Sequence, residues 1–373
     1  MRVMRTPKSV GLSITDRCNL RCRYCAYFTS ASNVGEDLPK EEWLQFFEEL
    51  NRCTVMEVTL SGGEPFSRED LKEIIEGIVK NRMRFNILSN GTLLTDEMAA
   101  FLASTGGRCK GVQVSIDSSI PMTHDAFRGE GSFSKAMQGI KYLKTHKVPV
   151  SVRVTIHRKN VGDLEGVARL LLEEIGLPTF STCSASYMGL CRQNAEEVQL
   201  TVEERSLAME TLLKLNRKYQ GRISAAAGPL AEGKIWSTME RCRREGKESI
   251  PGRGFLTACG AVMSKMEVRA DGVMVPCIQL SHIELGRINK DDLKEVWQHH
   301  PELTRLRERR TIPLSNFEFC KECDYINYCT GGCPATAYSI TGDVNHPSPD
   351  SCIKRFLEEM GRLPDEKLLT TSR

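Results

Sequence analysis

The sequence predicts a parallel α/β fold, closed or part-closed on itself. Three observations predict it. Six short apolar runs recur along the first half of the chain, at 10–15, 57–62, 85–90, 112–117, 152–157 and 179–186. Helix-like segments separate them, and strands joined by helical crossovers lie parallel. Polar or sulfur-bearing residues follow the runs, and parallel sheets gather ligands at the C-terminal ends of their strands.

Taken in order, the first run (VGLSIT) leads into CNLRCRYC, which places Cys18, Cys22 and Cys25 within eight residues. The second (EVTLSG) ends at Gly62, Gly63 and Glu64. SREDLKEIIEGIVKN then offers Ser67 as an N-cap and Leu71, Ile74, Ile75, Ile78 and Val79 on one helix face. The third run ends on Ser89 and Asn90, and Thr95 caps the next helix. The fourth ends at Ser115 to Asp117. The fifth carries Arg153 and His157, and the helical pattern after it closes at Gly176, a C′ glycine. The sixth carries Cys183. A longer amphipathic helix follows over 201–221, opened by a capping box of Thr201 and Glu204.

The stretch 221–254 is rich in Gly, Arg and Lys, and reads as a linker with one short helix. From Cys259 the texture changes to short elements, many glycines and seven cysteines. The expected domains are therefore 8–220 and 255–356, with a helix and fraying tail over 357–373.

Composition excludes several classes. The net charge of +3 makes no strong electrostatic case for nucleic acid. The first residues hold no apolar signal-peptide core, and no window of eighteen apolar residues is long enough to span a membrane. The expected location is the cytoplasm. Fifteen cysteines in a chain of 373 residues with no export signal point to metal or chemistry rather than disulfides.

Zinc normally takes four protein ligands, and no His or fourth Cys follows Cys25 closely. A [4Fe–4S] cluster commonly takes four cysteines. Three would leave one iron open to a small molecule. The spacing Cx3Cx2C, with Tyr24 before its last cysteine, and SGGEP after the second run resemble the radical S-adenosylmethionine (SAM) superfamily over roughly residues 8–200. The resemblance implies a partial (β/α)6 TIM-type barrel. Its free iron would chelate SAM, and an electron from the cluster would cleave SAM to a 5′-deoxyadenosyl radical that takes hydrogen from substrate. It implies that Tyr24, Gly62, Gly63, Glu64, Ser89, Asn90, Ser115, Asp117 and Arg128 surround SAM. In chemical terms, the glycines admit backbone close to a ligand and Glu64 accepts from the amino group. Ser115 and Asp117 contact ribose and methionine, and Arg128 approaches the carboxylate. Plain turn caps for Ser115 and Asp117, and a surface ion pair for Arg128, are the bland alternatives.

The later cysteines resemble the SPASM extension of that superfamily, which carries two auxiliary [4Fe–4S] clusters. The resemblance assigns Cys259, Cys277 and Cys333 to an inner cluster, and Cys320, Cys323, Cys329 and Cys352 to an outer one. The total is then three clusters plus SAM. The inner one would have an open iron or borrow a ligand such as Cys242. Cys183 is the candidate hydrogen donor, as in epimerising relatives.

The expected activity is modification of a ribosomally made peptide by crosslinking, oxidation or epimerisation. The partners would be that peptide, a low-potential ferredoxin or flavodoxin, and a separate leader-binding protein or the barrel mouth itself, since only 17 residues precede Cys18. The alternative is oxidation or decarboxylation of a small molecule such as a haem precursor, with Arg153 and His157 meeting its carboxylates. Sulfatase maturation is disfavoured. Those maturases carry an aspartate proton acceptor after the second SPASM cysteine, and Ile278 stands there, leaving Gln279 or His282 to substitute. A non-catalytic iron–sulfur carrier would have no need of SGGEP.

Overall fold

The computed structural model describes residues 3–27 and 37–369. Ten strands form one sheet: β1 (Ser9–Thr15), β2 (Glu57–Gly62), β3 (Arg84–Ser89), β4 (Cys109–Ser115), β5 (Val150–Ile156), β6 (Phe180–Ser184), β7 (Ile223–Ala225), β8 (Lys265–Val268), β9 (Val273–Val275) and β10 (Gly286–Arg287). Their order is β10-β9-β8-β1-β2-β3-β4-β5-β6-β7. Neighbours from β1 to β7 are parallel, with helices between the first six. Among the described residues β7 and β10 do not pair, so the barrel is partial.

The side-chain period of two sets the two faces. Val10, Leu12, Ile14, Val58, Leu60, Phe85, Ile87, Val112, Val114, Val152 and Val154 are all fully buried against the helices. Each contributes about 1.5–3 kcal/mol relative to exposure. The alternate residues face the lumen and are mostly small or polar. Ser9, Gly11, Thr59, Asn86, Gln113 and Ser151 line a cavity of about 550 Å³ there. Helices form where expected: Thr95 accepts from the Met98 N–H, and the Thr201–Glu204 capping box is complete.

Four features differ from the sequence reading. Ser67 does not cap Leu71–Lys80; it closes a short turn, with its hydroxyl donating to Glu64 O at 2.7 Å. The stretch 221–254 holds β7 and a 16-residue helix, Pro229–Arg244, that buries Leu230, Trp236 and Met239. The sheet continues past the barrel, because β8 pairs parallel to β1, and β9 and β10 add antiparallel. The tail is docked as far as Leu369: Leu368 and Leu369 pack on the core, and Arg217 donates to Lys367 O at 2.9 Å. Residues 370–373 lie outside the described residues.

Gly11 explains how β8 fits against β1. A Cβ there would lie 1.8 Å from Glu267 Oε2, so only glycine leaves room for that carboxylate. Glu267 has no hydrogen-bond partner among the described residues. Burial pushes its carboxyl up to about 7, with Lys265 opposing. A raised carboxyl favours the fold while protonated, so this contribution is whole below the unfolded value and is lost as pH rises through about 7. The stability of wild type relative to Glu267→Gln is therefore expected to fall by about 2–3 kcal/mol between about pH 5 and 8. Urea midpoints at each pH measure it, and a difference flat in pH would refute it.

Candidate active site and cluster centres

The loop after β1 carries the first three cysteines. It is pinned at its root by Asp37, which accepts from Thr15 Oγ1 at 2.9 Å, Asp16 N at 3.1 Å and Arg17 Nε at 2.9 Å. Cys18, Cys22 and Cys25 line one cavity of about 360 Å³ at the C-terminal ends of the strands. Tyr24, Gly62, Gly63, Ser89, Asn90, Ser115 and Arg128 line the same cavity. Sequence-distant residues thus converge because all but Arg128, the last residue of the helix Pro121–Arg128, lie at or in the loop past the end of a parallel strand.

The two glycines are required by contact. A Cβ on Gly62, at φ 127°, would sit 2.2 Å from Thr15 O, and one on Gly63 would sit 2.1 Å from Arg17 O. The N–H of Gly63 donates to Thr15 O at 2.8 Å, which ties this loop to the cysteine loop. Gly63→Ala is expected to push the loops apart and lower cluster occupancy at least about tenfold, the scale of losing a supporting contact around a metal centre. Iron content and the visible absorbance of the reconstituted protein read this directly.

Two expected SAM contacts lie behind the cavity wall rather than on it. Glu64 is fully buried and holds the ends of β2 and β3 together. It accepts from Asn90 N at 2.7 Å, Ser89 Oγ at 2.9 Å and Phe66 N at 3.1 Å. Burial pushes it up to about 7 while those donors pull it back. Asp117 is also fully buried, and accepts from Arg128 Nε at 2.5 Å, Thr155 N at 2.9 Å and the Tyr24 hydroxyl. Burial raises its pKa, but the Arg128 guanidinium outweighs that and holds it below the usual carboxylate range. Arg128 also lies 5.3 Å over the Tyr24 ring, so Asp117 fixes both the aromatic and the arginine that face the cavity.

Asn160 was not legible in the sequence. Its amide donates to Asp117 O at 2.7 Å and Thr155 O at 2.8 Å, locking the ends of β4 and β5. Nothing in the local sequence separates it from an ordinary loop asparagine.

Cys183 does not reach this cavity. Its sulfur lies 3.8 Å from Thr155 Oγ1, and Ser184, Ala185 and Ser186 form the wall instead. Opposite them stand Ile278 and Gln279, with Gln279 donating to Ser186 Oγ at 2.6 Å. His282 is stacked on Tyr338 at 4.0 Å. His157 is fully buried in a stack with Phe127 at 4.0 Å, and burial pushes it down to about 4, so it is neutral.

The later cysteines form two groups. Cys320, Cys323, Cys329 and Cys352 line one cavity of about 810 Å³. Cys259, Cys277 and Cys333 are near enough to influence one another's ionisation. Cys259 sits at φ 61°, a left-handed conformation that costs a non-glycine residue on the order of 1 kcal/mol. Cys242 does not join them. It is buried in an apolar cluster with Met209, Trp236 and Tyr325, beside Cys323 and Cys329, so it is no source of a fourth inner ligand.

The donor set fits iron–sulfur clusters. Cys18, Cys329 and Cys352 each accept a backbone N–H from two or three residues on, of Leu20 at 3.4 Å, Gly331 at 3.3 Å and Arg355 at 3.4 Å. Such donors stabilise the charged sulfur. Burial alone raises these thiols, Cys22 to about 12, so metal binding would release their protons. Among the described residues no three His, Cys, Asp or Glu side chains converge on a single-ion site. Thiolates of a cluster sit on separate irons, and need to share a cavity rather than a point.

A model of the radical SAM superfamily matches residues 12–171. One of SPASM, an iron–sulfur cluster-binding domain, matches residues 259–324. The chain carries a radical SAM domain followed by a SPASM domain. This radical SAM enzyme is 24% identical over 357 residues to the PqqA peptide cyclase of Granulibacter bethesdensis, covering 94% of this chain and 88% of that one. It is 27% identical over 355 residues to the AdoMet-dependent heme synthase of Methanosarcina barkeri, covering 94% and 97%. Its fold resembles Streptococcus suis SuiB bound to S-adenosylmethionine, with a TM-score of 0.71 at 16% identity over 94% of this chain and 78% of that one. It also resembles anSMEcpe with bound AdoMet, with a TM-score of 0.67 at 20% identity over 94% and 96%. Among the described residues no helix is long and apolar enough to cross a membrane.

Proposed function

We propose that this enzyme cleaves SAM reductively and takes hydrogen from a ribosomally made peptide, installing a crosslink, an oxidation or an epimerisation. One observation carries the peptide reading. An open groove of about 470 Å³ continues from Ser184, Ala185 and Ser186 of the cavity wall, past Cys333 of the inner group, to Cys352 of the outer one. A groove that leaves the reaction cavity and runs along the protein suits an extended chain. The relatives support it: one is a PqqA peptide cyclase, and SuiB has been solved bound to its precursor peptide SuiA.

Cys18, Cys22 and Cys25 would hold the first cluster; Cys259, Cys277 and Cys333 the inner auxiliary one; and Cys320, Cys323, Cys329 and Cys352 the outer one. Bound together, the first cluster and SAM supply one-electron cleavage of the sulfonium and hence the hydrogen-abstracting radical. The chain's own part is to place and shield. Gly62 and Gly63 bring backbone against the cofactor, Arg128 offers a cation for a carboxylate, and Tyr24, Ser115 and Asn90 wall the cavity. A ferredoxin or flavodoxin would deliver electrons, and a separate leader-binding protein or the groove itself would hold the peptide.

The haem synthase relative supports small-molecule oxidation as a second reading. Against it, His157 is buried and neutral and Lys110 is paired with Glu57, which leaves Arg153 and Lys265 as the cations of the lumen cavity. Co-expression with short peptides encoded beside the gene, followed by mass spectrometry, decides between them. A peptide that loses two hydrogens, or that in deuterated water exchanges one carbon-bound hydrogen for deuterium with no other change of mass, is the expected result. Peptides left unchanged while a tetrapyrrole propionate is decarboxylated would overturn the proposal.

A further inference from the structure

Arg309 is fully buried and is among the largest side chains withdrawn completely from solvent. One terminal nitrogen donates to Thr257 O at 2.5 Å, and the other to His346 O at 3.3 Å. Its Nε has no hydrogen-bond partner among the described residues. It makes no ion pair among the described residues. Arginine stays charged in proteins, and two neutral carbonyls do not cancel that charge. A buried cation without a counter-charge is strongly unfavourable.

The ionisable groups that favour its charge are Cys333 and Cys259, ahead of Asp343. Both cysteines belong to the inner group. As free thiols they are neutral and do nothing for the arginine. As cluster ligands they belong to a centre that is anionic in both oxidation states, three thiolates outweighing the iron–sulfur core. Position supports the same pairing. Thr257 lies two residues before Cys259, and its hydroxyl accepts from Cys259 N at 3.2 Å, so Arg309 grips the segment that presents this ligand.

We propose that Arg309 is the fixed counter-charge of the inner auxiliary cluster and raises its reduction potential. The inference rests on the three-cluster reading above. A cation held in a water-poor site favours the more negative, reduced state. The site would thereby be a better acceptor for an electron leaving the substrate.

The test is a potentiometric EPR titration of the anaerobically reconstituted full chain, with the inner signal identified as the one missing from Cys259→Ala. Arg309→Gln is expected to lower the reduced-to-oxidised ratio of that signal at least tenfold at a fixed potential, about 59 mV for one electron. Arg309→Lys, which keeps the charge, should stay within about threefold of wild type on the same scale. The outer signal, missing from Cys320→Ala, should not move in either. An unchanged Gln variant, or Gln and Lys variants displaced alike, would overturn the proposal. Should Arg309→Gln fail to load the cluster, iron content decides: Lys loaded and Gln empty supports the counter-charge, and both empty refutes it. Wild type with only about eight irons and no inner signal would refute the three-cluster reading itself, a result visible before any substitution is made.

Discussion

Cys22→Ala protein, reconstituted without oxygen, is expected to lose about four irons per chain and to form 5′-deoxyadenosine from SAM more than about 100-fold more slowly than wild type. Loss of a supporting residue around a metal centre costs roughly 10–100-fold, and Cys22 is placed as a ligand. The substitution should leave the fold intact, because the thiol lies in a loop on the cavity wall rather than in the sheet. Deoxyadenosine by chromatography, iron by colorimetry and far-UV circular dichroism separate these effects. Full iron content and undiminished deoxyadenosine formation would refute the placement of the first cluster.

Arg128→Met is expected to destabilise the protein by about 3–5 kcal/mol, the usual cost of removing one partner of a buried pair. The stranded group is Asp117, fully buried, with the Tyr24 hydroxyl and Thr155 N as its remaining donors. The urea midpoint should fall with an unchanged m-value. Adding Asp117→Asn should recover part of the loss, since the uncompensated charge is then gone. The pH dependence follows from the depressed carboxyl. Its contribution is present above the unfolded value, near 4, and is lost as pH falls through the lower folded one. Arg128→Met should therefore lose its deficit against wild type in acid. A variant as stable as wild type at neutral pH would show that Arg128 is an ordinary surface partner.

The barrel strands were legible because apolar residues recur at every second position, on the side that the helices cover. All six lie within a few residues of their expected places. The cysteine sets were legible for a related reason: a ligand must be a particular residue type at a particular spacing. What sequence hid is the division of labour among polar residues. Glu64 and Asp117 look like ligand contacts, yet both brace the wall from behind, and only the fold shows which side of a strand end faces the cavity. Arg309 sits in RLRERRTIP, where nothing distinguishes the fully buried arginine from the exposed Arg310 beside it. The 221–254 stretch was misjudged on its charge. Its helix had a readable start, Gly228 at φ 82° followed by Pro229 at the first helical position, and a buried stripe of Leu230, Trp236 and Met239.

The seam between β1 and β8 has a consequence for any attempt to study the catalytic half alone. Cutting the chain ahead of Lys265 would strip β1 of the partner on its outer side and leave a raw, largely apolar margin, the kind of surface on which other copies stack. The cysteine-rich half thus serves as a hem for the barrel. Fragments ending near residue 220 should clump, whatever becomes of their iron.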